Sequence, residues 1–194
     1  VGGGSTVCNS TIDNATIDNA TVCNSTVSNR TIENLTMTDS VVPTVDNVSS
    51  STTNGSYTKN DNITVTVTFS ENVIVDNSSG NPRIQLAARS DNNSYANYVS
   101  GNSTSILSFL YTVQSGDNSS DLDYKATGAL STSGTIRDNA SNNATLTLAS
   151  PGASGSLGAN KSIVIDTTAP TVSSISTTAD NQSAVSITDN ITVT

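Results

Sequence analysis

Asparagine followed two residues later by a hydroxyl side chain is the most frequent chemically meaningful pattern in the chain. Eighteen positions fit Asn-x-Ser/Thr with no proline between: Asn9, Asn14, Asn19, Asn24, Asn29, Asn34, Asn47, Asn54, Asn62, Asn77, Asn92, Asn102, Asn118, Asn139, Asn143, Asn160, Asn181 and Asn190. The chain has 24 Asn, and 63 of its 194 residues are Ser or Thr. Random placement would put a hydroxyl two ahead of about eight of those asparagines, so the pattern is over-represented. Its chemistry is N-glycosylation, in which the carboxamide and the hydroxyl are read together on an exposed segment. Plain Asn/Ser/Thr low complexity is the competing explanation. Glycans would hydrate a chain of which only 12 % of residues are charged, and they imply an extracellular, cell-surface location.

Acidic side chains offer a second chemistry. Asp117, Asp121 and Asp123, with Glu71 and Asp166, form the best cluster in the sequence and present hard oxygen ligands of the kind calcium takes. Ordinary solvated loop acids are the alternative. Calcium is therefore the one candidate cofactor, and none is required. Catalysis is not expected. Without histidine the chain has no usual zinc ligand set and no Ser-His-Asp or Cys-His pair. A glycosidase-like carboxylate pair would need a cleft and aromatic platforms, and aromatics make up only 4 % of the chain. Val1-Gly-Gly-Gly-Ser lacks the preceding strand and the lysine of a phosphate loop.

A net charge of −9 and a pI near 4.1 repel phosphate backbones, so no nucleic-acid partner is expected. No apolar run approaches the 18 or so residues of a membrane span. Cys8 and Cys23 fit no Cys-x-x-Cys pattern. Fifteen residues apart, they are expected either to form a disulfide, worth roughly 3 kcal/mol through the unfolded state, or to stay as two buried thiols.

The elements that carry these residues divide the chain into three parts. Residues 1–40 repeat every five, with apolar Val7, Ile12, Ile17, Val22, Val27, Ile32 and Met37 each preceded by threonine. A period of five fits neither a strand nor a helix, but suits a chain that turns a corner every five residues. The small residues Ser10, Ala15, Ala20 and Ser25 fall two before an apolar one. The segment resembles the pentapeptide-repeat family. That resemblance implies a square β-solenoid of four pentads per turn, with Ile12, Ile17, Val22, Val27 and Ile32 inward. So short a strip needs neighbours: it is either the end of a longer solenoid or an extended segment donated to another subunit. In a coil, the asparagines of this strip could also stack in internal hydrogen-bonded rows without carrying sugar.

From residue 41 the period becomes two. Ile63, Val65, Val67 and Phe69 alternate with threonine, as a half-buried antiparallel strand does. Further runs at 73–75, 84–86, 95–99, 106–113, 122–126, 145–148 and 163–165, separated by turn signals, predict an all-β sandwich over residues 41–168. Its expected core is Val65, Val67, Phe69, Leu107, Phe109, Tyr111 and Val113. Ile63-Thr-Val-Thr-Val-Thr-Phe-Ser-Glu-Asn-Val73, Tyr98-Val-Ser-Gly101, Phe109-Leu-Tyr-Thr-Val-Gln-Ser-Gly-Asp-Asn-Ser-Ser-Asp-Leu-Asp-Tyr124, Gly134-Thr-Ile-Arg-Asp138 and Leu157-Gly-Ala-Asn-Lys-Ser-Ile-Val-Ile-Asp-Thr-Thr-Ala-Pro170 resemble the Ig-like repeats of large bacterial and archaeal surface proteins and adhesins.

That resemblance implies tandem structural modules. Independently, Val42-Pro-Thr-Val45 recurs as Ala169-Pro-Thr-Val172, and Asp61-Asn-Ile-Thr-Val-Thr66 as Asp189-Asn-Ile-Thr-Val-Thr194. Residues 169–194 thus read as the first strands of a second Ig-like unit, completed by further sequence or by a neighbour. The function expected from all this is a glycosylated structural subunit of a surface filament or surface layer, assembling as a homo-oligomer or polymer. Alternatives are an adhesin stalk, and a glycan-binding module using Tyr95, Tyr98, Tyr111 and Tyr124.

Overall fold

The computed structural model describes residues 39–174 and, within residues 6–38, seven short strands. No helix among the described residues is long and apolar enough to cross a membrane. The seven strands are β1 (Thr6–Cys8), β2 (Thr11–Asp13), β3 (Ile17–Asp18), β4 (Thr21–Cys23), β5 (Thr26–Ser28), β6 (Ile32–Glu33) and β7 (Thr36–Thr38). They pair in parallel as β1-β4-β7, β2-β5 and β3-β6. Thr6 lies against Thr21 and Thr21 against Thr36, Thr11 against Thr26, and Ile17 against Ile32. Each step is fifteen residues, so the chain regains the same side after three pentads, where the family resemblance implied four.

The same ladder corrects the expected disulfide: no bond joins Cys8 and Cys23. The two residues are register partners on parallel strands. Such partners sit about 4.8 Å apart with their Cα–Cβ bonds pointing the same way. A disulfide needs converging Cβ atoms about 3.8 Å apart.

Ten strands and one helical turn make up the larger unit. They are β8 (Val45–Ser50), β9 (Gly55–Tyr57), β10 (Asn62–Asp76), β11 (Arg83–Gln85), β12 (Tyr95–Ser100), β13 (Thr104–Thr112), β14 (Asn118–Ser119), β15 (Leu130–Ser131), β16 (Thr135–Arg137), α1 (Leu157–Asn160) and β17 (Ile163–Asp166). The fold is all-β. A curled, open sheet runs in the order β15-β11-β12-β13-β10-β16, with β8 also paired to β10, and a smaller mixed sheet runs β14-β17-β9.

β10 organises the unit. Its first half is Val/Ile/Thr-rich and alternates buried and half-buried residues from Ile63 to Phe69, because β-branched side chains fit a pleated surface covered on one face. It pairs antiparallel with β13, Val65 against Phe109 and Val67 against Leu107. Between Thr68 and Val73 the register shifts, and beyond that bulge the strand continues into pairing with β16. A bulge bends a strand and increases its twist, which suits a sheet that curls.

The core expected from sequence is found: Val65, Val67, Phe69, Leu107, Phe109, Tyr111 and Val113 are all buried. Leu122, Tyr124, Leu157, Ile163 and Ile165 close the same cluster from the smaller sheet and its flanking loops. Each such aliphatic side chain contributes about 1.5–3 kcal/mol on burial. Two close approaches require glycine. A Cβ on Gly134 would fall on the Asp76 carbonyl, and one on Gly101, at φ +109°, on that of Ile106. The expected runs at 122–126 and 145–148 form no ladder and make only the bridges Leu86 to Tyr124 and Thr44 to Thr145. The second unit expected at 169–194 lies mostly outside the described residues, as do Asn181 and Asn190.

Candidate metal centre

One group of three carboxylates converges among the described residues. Asp39, Glu71 and Asp138 place oxygen atoms within 4.8 Å of one another. They come from three separate places. Asp39 lies just after β7, Glu71 in the bulged stretch of β10, and Asp138 directly after β16. The β10–β16 ladder, with Ile74 against Arg137, brings the last two together.

Residues 39–41, between β7 and β8, are held by the loop that follows β16. Asn142 Nδ2 donates to the Asp39 carbonyl at 3.1 Å, to the Val41 carbonyl at 3.2 Å and to Asp138 Oδ2 at 2.7 Å. Asn142 N donates to Asp138 Oδ1 at 2.8 Å. Ser141, at φ 75°, gives this loop its tight left-handed turn. Asp138 is buried. Burial pushes its carboxyl pKa up, but the hydrogen bonds from the Asn142 side chain and from the Asn142, Ala140 and Ser141 backbone outweigh it, and the net shift is downward.

Glu71 is in the opposite state. Its Oε1 is buried and has no hydrogen-bond partner. Burial, then the charges of Asp39 and Asp138, push its pKa up. One carboxylate is stabilised as an anion beside another that resists ionisation. Hard anionic oxygens so arranged could coordinate a metal ion such as calcium, which accepts irregular oxygen shells completed by carbonyls and water. A divalent cation would replace the repulsion felt by Glu71 with attraction and give its orphaned oxygen a partner.

Of the acids singled out from sequence, only Glu71 belongs to this group. Asp117 is fully buried. Its Oδ2 accepts from Tyr111 Oη at 2.6 Å and Gln114 N at 2.6 Å, and its Oδ1 from Ser94 Oγ at 3.3 Å. Arg89 Nη1 stands 3.8 Å from Oδ1. Burial, then the hydrogen bond and charge of Asp117, push the Tyr111 hydroxyl pKa upward, so Tyr111 remains a donor. Asp123 Oδ1 accepts from Tyr124 N and Oδ2 from Gly152 N, both at 2.8 Å. Burial, then the charge of Asp123, push the Tyr124 pKa up to about 12, and its hydroxyl donates to the Ala149 carbonyl at 2.7 Å. Asp121 is exposed, and Asp166 Oδ1 accepts from Thr168 N at 2.9 Å.

The expected calcium cluster of Asp117, Asp121, Asp123 and Asp166 is therefore not assembled, because the two buried members spend their oxygens on the fold. Asp39 and Asp138 were missed. They lie far apart in the chain and share no spacing motif, so no local signal could have paired them. Among the tyrosines proposed for sugar contact, Tyr111 and Tyr124 are core residues. Tyr95 is half-buried under Arg83, whose guanidinium carbon lies 4.3 Å from the ring centroid, and Tyr98 packs edge-on against Phe109. Comparison with protein-family models, with curated proteins and with solved structures returned no match.

Proposed function

We propose that the chain is a glycosylated extracellular structural subunit of a surface filament or surface layer, in which residues 41–168 act as an Ig-like spacer. One observation carries the reading. The larger unit holds ten of the sequon asparagines, and all ten reach its surface: Asn54, Asn62, Asn77, Asn92, Asn102, Asn118, Asn139, Asn143 and Asn160 are exposed, and Asn47 is half-buried. Many exposed acceptors on a weakly charged β unit are what a hydrated coat needs.

The reading requires no catalysis, since the buried carboxylates Asp117 and Asp123 are committed to structural hydrogen bonds. Nor does it require a nucleic-acid partner, which the net charge of −9 disfavours. Glycopeptide mass analysis of the native protein, with electron microscopy of the same material, tests it. Sugar on several sequons together with ordered polymers is the expected result. Bare asparagines throughout would overturn the glycosylated reading. Glycosylated but monomeric strings would favour the adhesin stalk over the assembling subunit.

A further inference from the structure

N-glycosylation consumes a specific atom, and the fold treats that atom differently from one sequon to the next. Transfer breaks one Nδ2–H bond of asparagine and the anomeric C1–O bond of a glycosyl phosphate donor. It forms C1–Nδ2, and it releases the phosphate with the bonding pair and the amide proton to solvent. The product keeps Oδ1 as a full acceptor but has a single N–H left to donate. A sequon that uses only Oδ1 in the fold loses nothing on modification, whereas one that uses both Nδ2 hydrogens must give one up.

Backbone partners fix which atom is which in four of these carboxamides. Ser162 N donates to Asn54 Oδ1 at 3.1 Å, Val75 N to Asn102 Oδ1 at 2.8 Å and Thr167 N to Asn118 Oδ1 at 3.3 Å. An amide N–H can meet only the oxygen, so these three side chains turn Nδ2 away, and it makes no hydrogen bond among the described residues. Asn160 is the reverse case. Its Nδ2 donates to the Val48 carbonyl at 2.8 Å and to Asn47 Oδ1 at 2.7 Å. Both amide hydrogens are spent, and they tie the last residue of α1 to β8.

We infer that the fold sorts its own acceptors: Asn54, Asn102 and Asn118 are glycan carriers held in fixed orientation through Oδ1, and Asn160 is a structural asparagine closed to glycosylation despite its intact Asn-Lys-Ser sequon. This rests on the glycosylated reading above and deepens it. The three carriers sit in different places, namely the turn before β9, the β12–β13 turn and the start of β14. Their sugars would therefore leave the unit in three set directions.

Two measurements on the full chain decide it. Glycopeptide mass spectrometry of protein from its native cells should find Asn54, Asn102 and Asn118 occupied and the Asn160 peptide bare. Occupancy of Asn160 comparable with the other three, or empty carriers beside occupied sequons elsewhere, overturns the sorting. Bare peptides at every sequon refute the glycosylated reading itself and the sorting with it.

Thermal melts of unglycosylated protein separate the two failures, because they read the geometry without sugar. Asn102→Asp and Asn118→Asp keep the accepting oxygen and should leave Tm within ~2 °C of wild type. Asn160→Asp puts carboxylate oxygens against two acceptors and should lower Tm by at least ~4 °C. Equal shifts in all three variants overturn the assignment of atoms on which the sorting depends.

Discussion

Asp117 offers the sharpest test of how this fold is held together. Truncation to alanine leaves two buried hydroxyls without an acceptor, Tyr111 at 2.6 Å and Ser94 at 3.3 Å, and removes the acceptor of Gln114 N. An orphaned buried donor costs about 1–3 kcal/mol. Gln114 is exposed, so water replaces part of its loss, and Arg89, with 30 % side-chain exposure, rehydrates once its partner is gone. The sum is about 3–5 kcal/mol, in the range for removing one partner from a buried charged network. For a unit of this size that lowers Tm by ~10–20 °C.

Urea denaturation of wild type, Asp117→Ala, Tyr111→Phe and the double variant provides the assay. Because Tyr111→Phe deletes the hydroxyl that Asp117→Ala would strand, the aspartate truncation should cost ~1–2 kcal/mol less in the Tyr111→Phe background than in wild type. The cost should also be the same with calcium or with chelator. A truncation cost below ~0.5 kcal/mol, or a cost that chelator abolishes, would refute the argument; the latter result would return Asp117 to the role of a metal ligand.

Glu71→Gln should raise Tm at neutral pH by about 2–4 °C in the absence of calcium, because it removes a carboxylate whose folded pKa lies above its unfolded value. Native protein binds that proton more readily, so the unfavourable contribution of Glu71 fades as pH falls through the raised pKa, and the difference between variant and wild type should vanish below about pH 4. Calcium at millimolar concentration should stabilise wild type but not Glu71→Gln; a flat wild-type response in calorimetry would show that the three carboxylates do not hold the ion. Asn142→Ala should cost ~1–2 kcal/mol and speed proteolysis at residues 39–43, which lose two carbonyl contacts. In that variant the Asp138 carboxyl, lowered in the wild type, should titrate at higher pH by NMR. Gly134→Ala should cost ~2–4 kcal/mol by chemical denaturation, since the added methyl collides with the Asp76 carbonyl and parts β16 from β10.

What could be read from the sequence was local. Alternation from Ile63 to Phe69 marked the main strand and its buried face, because period two is fixed by the pleat. The run at 73–75 was read as a separate strand, since Ser70-Glu71-Asn72 breaks the alternation, whereas the bulge and the pairing with β16 carry one strand through to Asp76. The run at 145–148 alternates just as well, yet finds no partner strand.

In the first segment the pentad was plain, and so, in retrospect, was the turn. Thr6-Val-Cys-Asn-Ser-Thr11 recurs as Thr21-Val-Cys-Asn-Ser-Thr26, a fifteen-residue repeat that, as a multiple of five, does not stand out from the pentads. The carboxylate cluster shows the same limit from the other side. Glu71 was grouped with Asp117, Asp121, Asp123 and Asp166, whereas its actual partners, Asp39 and Asp138, are chosen by the sheet.

The pairing of β17 with β9 has a mechanical consequence. Ile163 to Ile165 run parallel to Gly55 to Tyr57, one strand near each end of the larger unit. Once β8 has parted from β10, tension drawn along the polypeptide would pull the two at opposite ends and slide them past each other, so their cross-strand hydrogen bonds would resist together instead of opening one at a time. A module wired in that way yields late and abruptly under load.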